Sequence, residues 1–283
     1  MMWKTSEVQF IQNKRPMVMA HRGDSANVPE NTYRAFKEAY ELGVDVIETD
    51  VWMTKDGEFV FHHDRKVNRT TNGSGKVSEY TLEEIQQLDA GYNFTDNEGN
   101  HVFRGKGYRI CNVDEILSEF DDIRFNMDIK PKDKRAPKLL AERLDQLDAV
   151  DRVQVGSFHQ KQIKRFRKYS DAPTSAGPFE TLRFHLHAKK YARAKKKNSE
   201  HKKSNQAYYF GGRLPYVSLT VPESLGPIKV VNPTSIEFAH EMKIAVFVWT
   251  INEKERMKKL LDWGVDGLFT DNPKRMLDIL RET

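Results

Sequence analysis

The chain has 283 residues, 38% of them hydrophobic and 31% charged, with a formal charge of +5, a balance that fits a soluble globular protein and excludes a disordered or collagen-like one. The longest apolar run, IAVFVW (244–249), falls far short of the roughly 20 residues a membrane-spanning helix needs. One cysteine, Cys111, excludes an internal disulfide, and the N-terminal stretch lacks an apolar signal core, so the expectation is a cytoplasmic enzyme or binding protein.

In chain order, the first apolar run, MVMA (17–20), ends in His21 and Arg22. The amphipathic pattern NTYRAFKEAYELG follows, with Tyr33, Phe36 and Tyr40 on one stripe and Gly43 where a C-cap belongs. VDVIETDV (44–51) then sets Glu48 and Asp50 two residues apart, which puts both on one side of a strand. FVFH (59–62) leads into His63 and Asp64; alternation turns His62 away from the side that His63 faces. Residues 64–112 are turn-rich around one short helix, TLEEIQQL, and read as an insertion that caps one mouth of the fold. IRFNMDI (123–129) carries Asp128, with Lys130 two residues on and on the same side. VQVGS (153–157) and the weaker PTSAG (173–177) come next, then a basic stretch within 178–216 and an irregular return to residue 233. IAVFVW ends at Trp249, and DGLFT (266–270) completes the series.

Eight apolar runs alternating with helical patterns predict parallel strands joined by crossover helices. At this length they favour a closed (β/α)₈ TIM barrel as a single domain over residues 1–283, with an open doubly wound sheet as the alternative. In a barrel the C-terminal strand ends converge on one face, where the active sites of this fold lie. That face would gather Glu48, Asp50 and Asp128, oxygen donors suited to a hard divalent cation, Mg²⁺ or Ca²⁺. Arg22 and Lys130 would supply the positive charge that a phosphate needs, with Trp249 at the same mouth. His21 and His63 would exchange protons near neutral pH. Metal, anion clamp and two proton-transfer groups together describe metal-assisted phosphoester cleavage.

AHRG with PENT, VIETDVWMTKDGEFVFHHD with NRTTNGSG, LDAG, NMDIKPK, VWTIN and GVDGLFTDNP resemble the glycerophosphodiester phosphodiesterase family in order and spacing, from residue 17 to about 278. The resemblance implies a TIM barrel with a small insertion that hydrolyses glycerophosphodiesters to sn-glycerol 3-phosphate and an alcohol with a divalent metal. It also implies His21 and His63 as the acid/base pair, Glu48, Asp50 and Asp128 as ligands, and Arg22 and Lys130 as phosphate contacts. One departure is DIK at Asp128, where the family commonly has EIK. From 183 to 203 there are nine Lys or Arg against one acidic residue, which leaves the rest of the chain slightly acidic. That segment reads either as a solvated face or as a peripheral contact with an anionic membrane, helped by Leu182, Phe184, Leu186, Tyr191, Tyr208 and Tyr209. The membrane reading makes a lysophospholipase D the alternative function. An inactive polyanion-binding barrel is the alternative of another class, and no nucleic-acid motif accompanies the charge.

Overall fold

The structure, a computed structural model, describes residues 8–196 and 206–282. Strand β1 (Met17–His21) is buried from Met17 to Ala20, and its last residue emerges at the barrel mouth. Helix α1 (Tyr33–Leu42) starts where Thr32 accepts a hydrogen bond from Ala35 N and stops at Gly43, whose φ of +79° is the left-handed C-cap conformation. After β2 (Val46–Met53) and β3 (Phe59–Phe61) come the insertion with α2 (Leu82–Gln86), then α3 (Val113–Glu119) and β4 (Arg124–Ile129). Next are α4 (Ala136–Gln146), β5 (Val153–Gly156), α5 (Gln160–Phe166), α6 (Pro178–Lys196) and α7 (Gln206–Phe210). β6 (Ser218–Pro222), the small hairpin β7 (Ser224–Leu225) and β8 (Ile228–Lys229), and α8 (Pro233–Glu241) lead to β9 (Ala245–Trp249). α9 (Lys254–Asp262), β10 (Gly267–Thr270) and α10 (Pro273–Glu282) end the chain.

The strands pair in parallel in the order β5-β4-β2-β1-β10-β9-β6. Residues 173–176 bridge the two ends: Ser175 N donates to Val155 O at 3.0 Å, and Ala176 N donates to Ser218 O at 2.9 Å. The sheet therefore closes with PTSAG as its eighth stave, as the alternation of elements predicted.

The membership of the barrel differs from the sequence reading in one exchange. β3 is not a stave; it runs antiparallel to β2, with Trp52 opposite Val60. The cause is the Asp56-Gly57 turn, where Gly57 adopts φ +94° and Thr54 N donates to Glu58 O at 2.8 Å. The stave it displaces is β6, inside the stretch read as irregular. That strand is short, ends in Pro222 and carries Ser218 and Thr220 between its apolar positions, so no continuous apolar run marks it.

The insertion expected to cap one mouth stands at the barrel mouth, where its Asn97 lines a second cavity together with His21, Arg22 and Asp271. Val67, Val77, Ile85, Ala90 and Ile110 form a small core of their own against Val60 and Trp52 of the β2–β3 ribbon. It flanks the mouth, and no residue of 64–112 lines the main cavity. The aromatic side chains expected at a membrane are mostly barrel wall: Phe184 and Tyr191 of α6 pack on Phe238 of α8 with ring centroids 5.0 and 5.1 Å apart, and Tyr209 is buried beside them. Residues 197–203 of the basic segment, and the side chain of Tyr208, lie outside the described part of the chain.

Gly23 sets the direction in which β1 delivers its polar end. It holds φ +83°, and a Cβ there would meet Ala35 backbone atoms of α1 at 2.5 Å. Both the dihedral and the close approach require glycine. Gly23→Ala is expected to destabilise the protein by at least about 2 kcal/mol, read as a fall of several degrees in the thermal midpoint. An unchanged midpoint would contradict this packing.

Candidate active site

Strand register brings the polar residues together. In the parallel ladder His21 stands beside Glu48, Glu48 beside Asn126, and Asp50 beside Asp128. All four titratable side chains, with Arg22, His63 and Lys130, face one cavity of about 490 Å³ at the C-terminal mouth. Alternation also separates the adjacent histidines as expected. His62 is 3% exposed and bonds through Nε2 to Lys66 O at 3.1 Å, outside the cavity.

Glu48, Asp50 and Asp128 are buried, and three anions in a space this small need compensation. Lys130 Nζ lies 2.8 Å from both Asp50 Oδ1 and Asp128 Oδ2, and Arg22 Nε is 3.5 Å from Asp50 Oδ2. The compensation is incomplete at the Glu48 end. Burial, reinforced by the Asp50 charge, pushes the Glu48 carboxyl up to about 7, and burial pushes Asp128 up to about 6 against the pull of Lys130. Burial opposes the Lys130 charge, but its two carboxylate neighbours outweigh that and raise its pKa.

Each histidine is backed by a carboxylate. His21 Nδ1 is 2.6 Å from Asp271 Oδ1, and its Nε2 lies 3.8 Å from Glu48 Oε2. Burial alone would lower the His21 pKa; the Glu48 charge and the Asp271 bond reverse that and leave it raised. His63 Nδ1 is 2.6 Å from Asp64 Oδ1. Burial, with Arg22 and Lys130 nearby, keeps its pKa below the ordinary value despite Asp50 and Asp64. Arg69 then links the two sides: it donates to Asp64 and, through both terminal nitrogens, to Glu30, which also accepts from Arg22 Nη1 at 2.9 Å. Burial works against the Glu30 charge, yet Arg69 and Arg22 hold its carboxyl down at about 2.

The donor set fits a hard divalent cation in kind. Among the described residues Glu48 Oε2 and Asp50 Oδ2 are buried carboxylate oxygens that accept no hydrogen bond, the first of them at the end where anionic charge is least compensated. Among the described residues no three such side chains already stand in a ligating arrangement, and Lys130 bridges the Asp50–Asp128 pair. Trp249 reaches the cavity at its rim, edge-to-face with Phe158 at 6.0 Å, and Lys130 Nζ stands 5.3 Å from the Phe158 ring centroid.

Asp271 and Arg69 were not singled out from the sequence. Asp271 follows the last strand, and barrel closure sets Thr270 beside Ala20, which is what brings this carboxylate to His21. Its signal was the TDNP that ends GVDGLFTDNP. Arg69 lies in the insertion, in NRTT, with no periodicity to mark it.

A closed parallel barrel that gathers paired carboxylates, fixed cations and two carboxylate-backed imidazoles at its C-terminal mouth defines a TIM-barrel enzyme of phosphoester chemistry. Residues 21–275 match the model of the glycerophosphoryl diester phosphodiesterase family, and the chain belongs to that family. A glycerophosphodiester phosphodiesterase of Caldanaerobacter subterraneus subsp. tengcongensis is 34% identical over 276 residues, covering 95% of this chain and 99% of that protein. One from Bacillus altitudinis is 30% identical over 268 residues, covering 94% and 98%. The crystal structure of the glycerophosphoryl diester phosphodiesterase domain of a Mycobacterium tuberculosis protein superposes with a TM-score of 0.77 at 18% identity, over 95% of this chain and 100% of that one, and shares the fold.

Proposed function

We propose that this phosphodiesterase hydrolyses glycerophosphodiesters to sn-glycerol 3-phosphate and an alcohol, with a divalent cation, Mg²⁺ or Ca²⁺, and the pair His21 and His63. The observation that carries the reading is the matched tethering of the two rings. An ionised carboxylate only accepts, so Asp271 and Asp64 keep a proton on Nδ1 of each ring and leave Nε2 as the working atom. One Nε2 takes the proton of the attacking hydroxyl while the other gives a proton to the departing alkoxide. Arg22 and Lys130 hold the phosphate by charge, and Trp249 bounds the organic part of the substrate. Glu48, Asp50 and Asp128 would hold the cation, whose charge would offset that developing on the phosphate oxygens.

Purified protein given glycerophosphocholine with Mg²⁺ or Ca²⁺ is expected to release glycerol 3-phosphate, and a chelator is expected to stop the release until metal is restored. Activity untouched by chelation would overturn the metal, and no release with any divalent metal or head group would overturn the reaction. The matched residues stand together in one cavity, which disfavours an inactive polyanion-binding barrel.

The same reading places the enzyme in the cytoplasm, on the support of its single buried cysteine, and in peripheral contact with anionic membranes. The support for that contact is the exposed run Arg183, Lys189, Lys190, Arg193, Lys195 and Lys196 along α6. Sedimentation with phosphatidylserine vesicles should occur at low salt and weaken as salt rises. Equal sedimentation with neutral vesicles would contradict the contact.

A further inference from the structure

Arg69 approaches the site from the insertion, and its guanidinium is held from two directions. Its terminal nitrogens donate to the two oxygens of Glu30 at 2.7 and 2.8 Å, and its Nε donates to Asp64 Oδ2. Each of those carboxylates also meets a residue that the proposed reaction uses. Asp64 Oδ1 lies 2.6 Å from His63 Nδ1, and Glu30 Oε1 accepts from Arg22 Nη1 at 2.9 Å. One guanidinium thus stands between the ring that moves a proton and the side chain that holds the phosphate. The planar fork of arginine offers donors in both directions at once, which the compact ammonium of a lysine does not.

The backbone on either side is already braced, so what Arg69 adds is the aim of side chains. Val67, two residues before it, is buried in the insertion's own core; Thr71 N donates to Val67 O at 3.1 Å, and Asn93 Nδ2 donates to Asn68 O and Thr71 O. On the other side Arg22 holds φ +60° and Asn31 +56°, left-handed conformations that persist in residues with a Cβ only where the surroundings over-determine them. Arg22 N donates to Glu48 O at 2.8 Å, Asn31 N to Arg22 O at 3.1 Å, and Thr49 Oγ1 to Asn31 Oδ1 at 2.8 Å. Those bonds fix the Arg22 backbone and leave the direction of its long side chain to Glu30 and Asp50. The His63 ring is partly open to solvent and takes its orientation from Asp64. We infer that Arg69 is a positioning residue, which sets the His63 ring through Asp64 and the Arg22 guanidinium through Glu30, and so brings the insertion into the reaction. The inference rests on the roles proposed above for His63 and Arg22 and adds a residue to them.

The test reads the two rings apart from turnover. Ring-nitrogen chemical shifts, detected through the carbon-bound ring protons at mildly alkaline pH, report which nitrogen of each neutral imidazole carries the proton. His21→Ala and His63→Ala assign the signals. In Arg69→Gln the His63 ring is expected to pass from the single Nδ1–H form to a mixture of the two, because Asp64 is free to turn to water. His21 should be unchanged, since Asp271 keeps Ser25 and Asn252. With glycerophosphocholine and Mg²⁺ or Ca²⁺, Arg69→Gln should lower kcat by about 10- to 100-fold, the scale of a displaced catalytic group, and should raise KM as Arg22 loses its aim. Adding Arg69→Gln to Asp64→Asn should lower kcat by no more than about a further twofold, because the two changes act through one bond. Arg69→Lys keeps the charge without the fork and should recover little. Both rings unchanged, both rings altered, losses that multiply in the double variant, or full recovery by Arg69→Lys would each overturn the inference. A wild type without turnover whose two rings respond as expected sinks the proposed reaction alone.

Discussion

His21→Ala and His63→Ala are each expected to lose at least about a hundredfold in turnover while the protein still folds and binds metal, because a single general acid or base is worth 10² to 10⁴ in rate. Neither ring holds the barrel together. His21 lies at the end of β1, and its Nδ1 partner Asp271 keeps Ser25 and Asn252 when the imidazole is removed. His63 leaves Asp64 bonded to Arg69. A substrate with a p-nitrophenolate leaving group separates the two roles. That anion departs without a proton, so the variant lacking the general acid recovers part of its rate, and the variant lacking the base does not. Exactly one of the two variants should be rescued in this way. Equal rescue of both, or a crippled His62→Ala beside a normal His63→Ala, would contradict the assignment. The second outcome is not expected from a buried ring bonded to Lys66 O outside the cavity.

Asp50→Asn is expected to remove metal activation. Asp50 is 2% exposed, stands beside Asp128 in the ladder, bonds Lys130 through Oδ1 and leaves Oδ2, 3.5 Å from Arg22 Nε, without a hydrogen bond among the described residues. Asparagine keeps the shape and one oxygen but loses the charge that a hard cation selects. Affinity for Mg²⁺ or Ca²⁺, measured by calorimetry, should fall by more than the roughly 10- to 100-fold that outer-shell substitutions cost, with a parallel loss of activity. The thermal midpoint should stay near that of the wild type, since Lys130 keeps Asp128 as its partner. Unchanged metal affinity in Asp50→Asn would remove this residue from the metal site.

Most of the site was legible because its residues sit at i, i+2 spacing on strands, where alternation alone decides the side. Glu48 with Asp50 and Asp128 with Lys130 needed only that rule, and His63 against His62 needed it once more. What escaped depended on partners far apart in sequence. Asp271 reaches His21 across 250 positions, and only closure of the barrel brings the last strand beside the first. Arg69 reaches Glu30, 39 positions away on the loop after β1, as well as Asp64 in its own insertion. In the fold, β3 was miscounted although its Asp56-Gly57 turn marks a hairpin, a local signal that the apolar run outweighed. β6 was missed for the opposite reason: a stave whose polar residues face the barrel interior shows no apolar run. Phe184 and Tyr191 were expected at a lipid surface because charge along α6 hides the narrow stripe that packs on α8. The apolar surface that does reach solvent comes partly from Leu225 and Ile228, on a two-residue hairpin too short for any periodicity to announce.

The central claim is that this site cleaves the ester bond between the phosphate and the alcohol head group and retains the phosphate on glycerol. Phosphorus NMR of glycerophosphoethanolamine during incubation with the protein and Mg²⁺ or Ca²⁺ tests it most directly. The diester resonance should decline as that of sn-glycerol 3-phosphate grows, with free ethanolamine released in equal amount. Growth of the phosphoethanolamine resonance instead, or an unchanged diester with every divalent metal supplied, would contradict it.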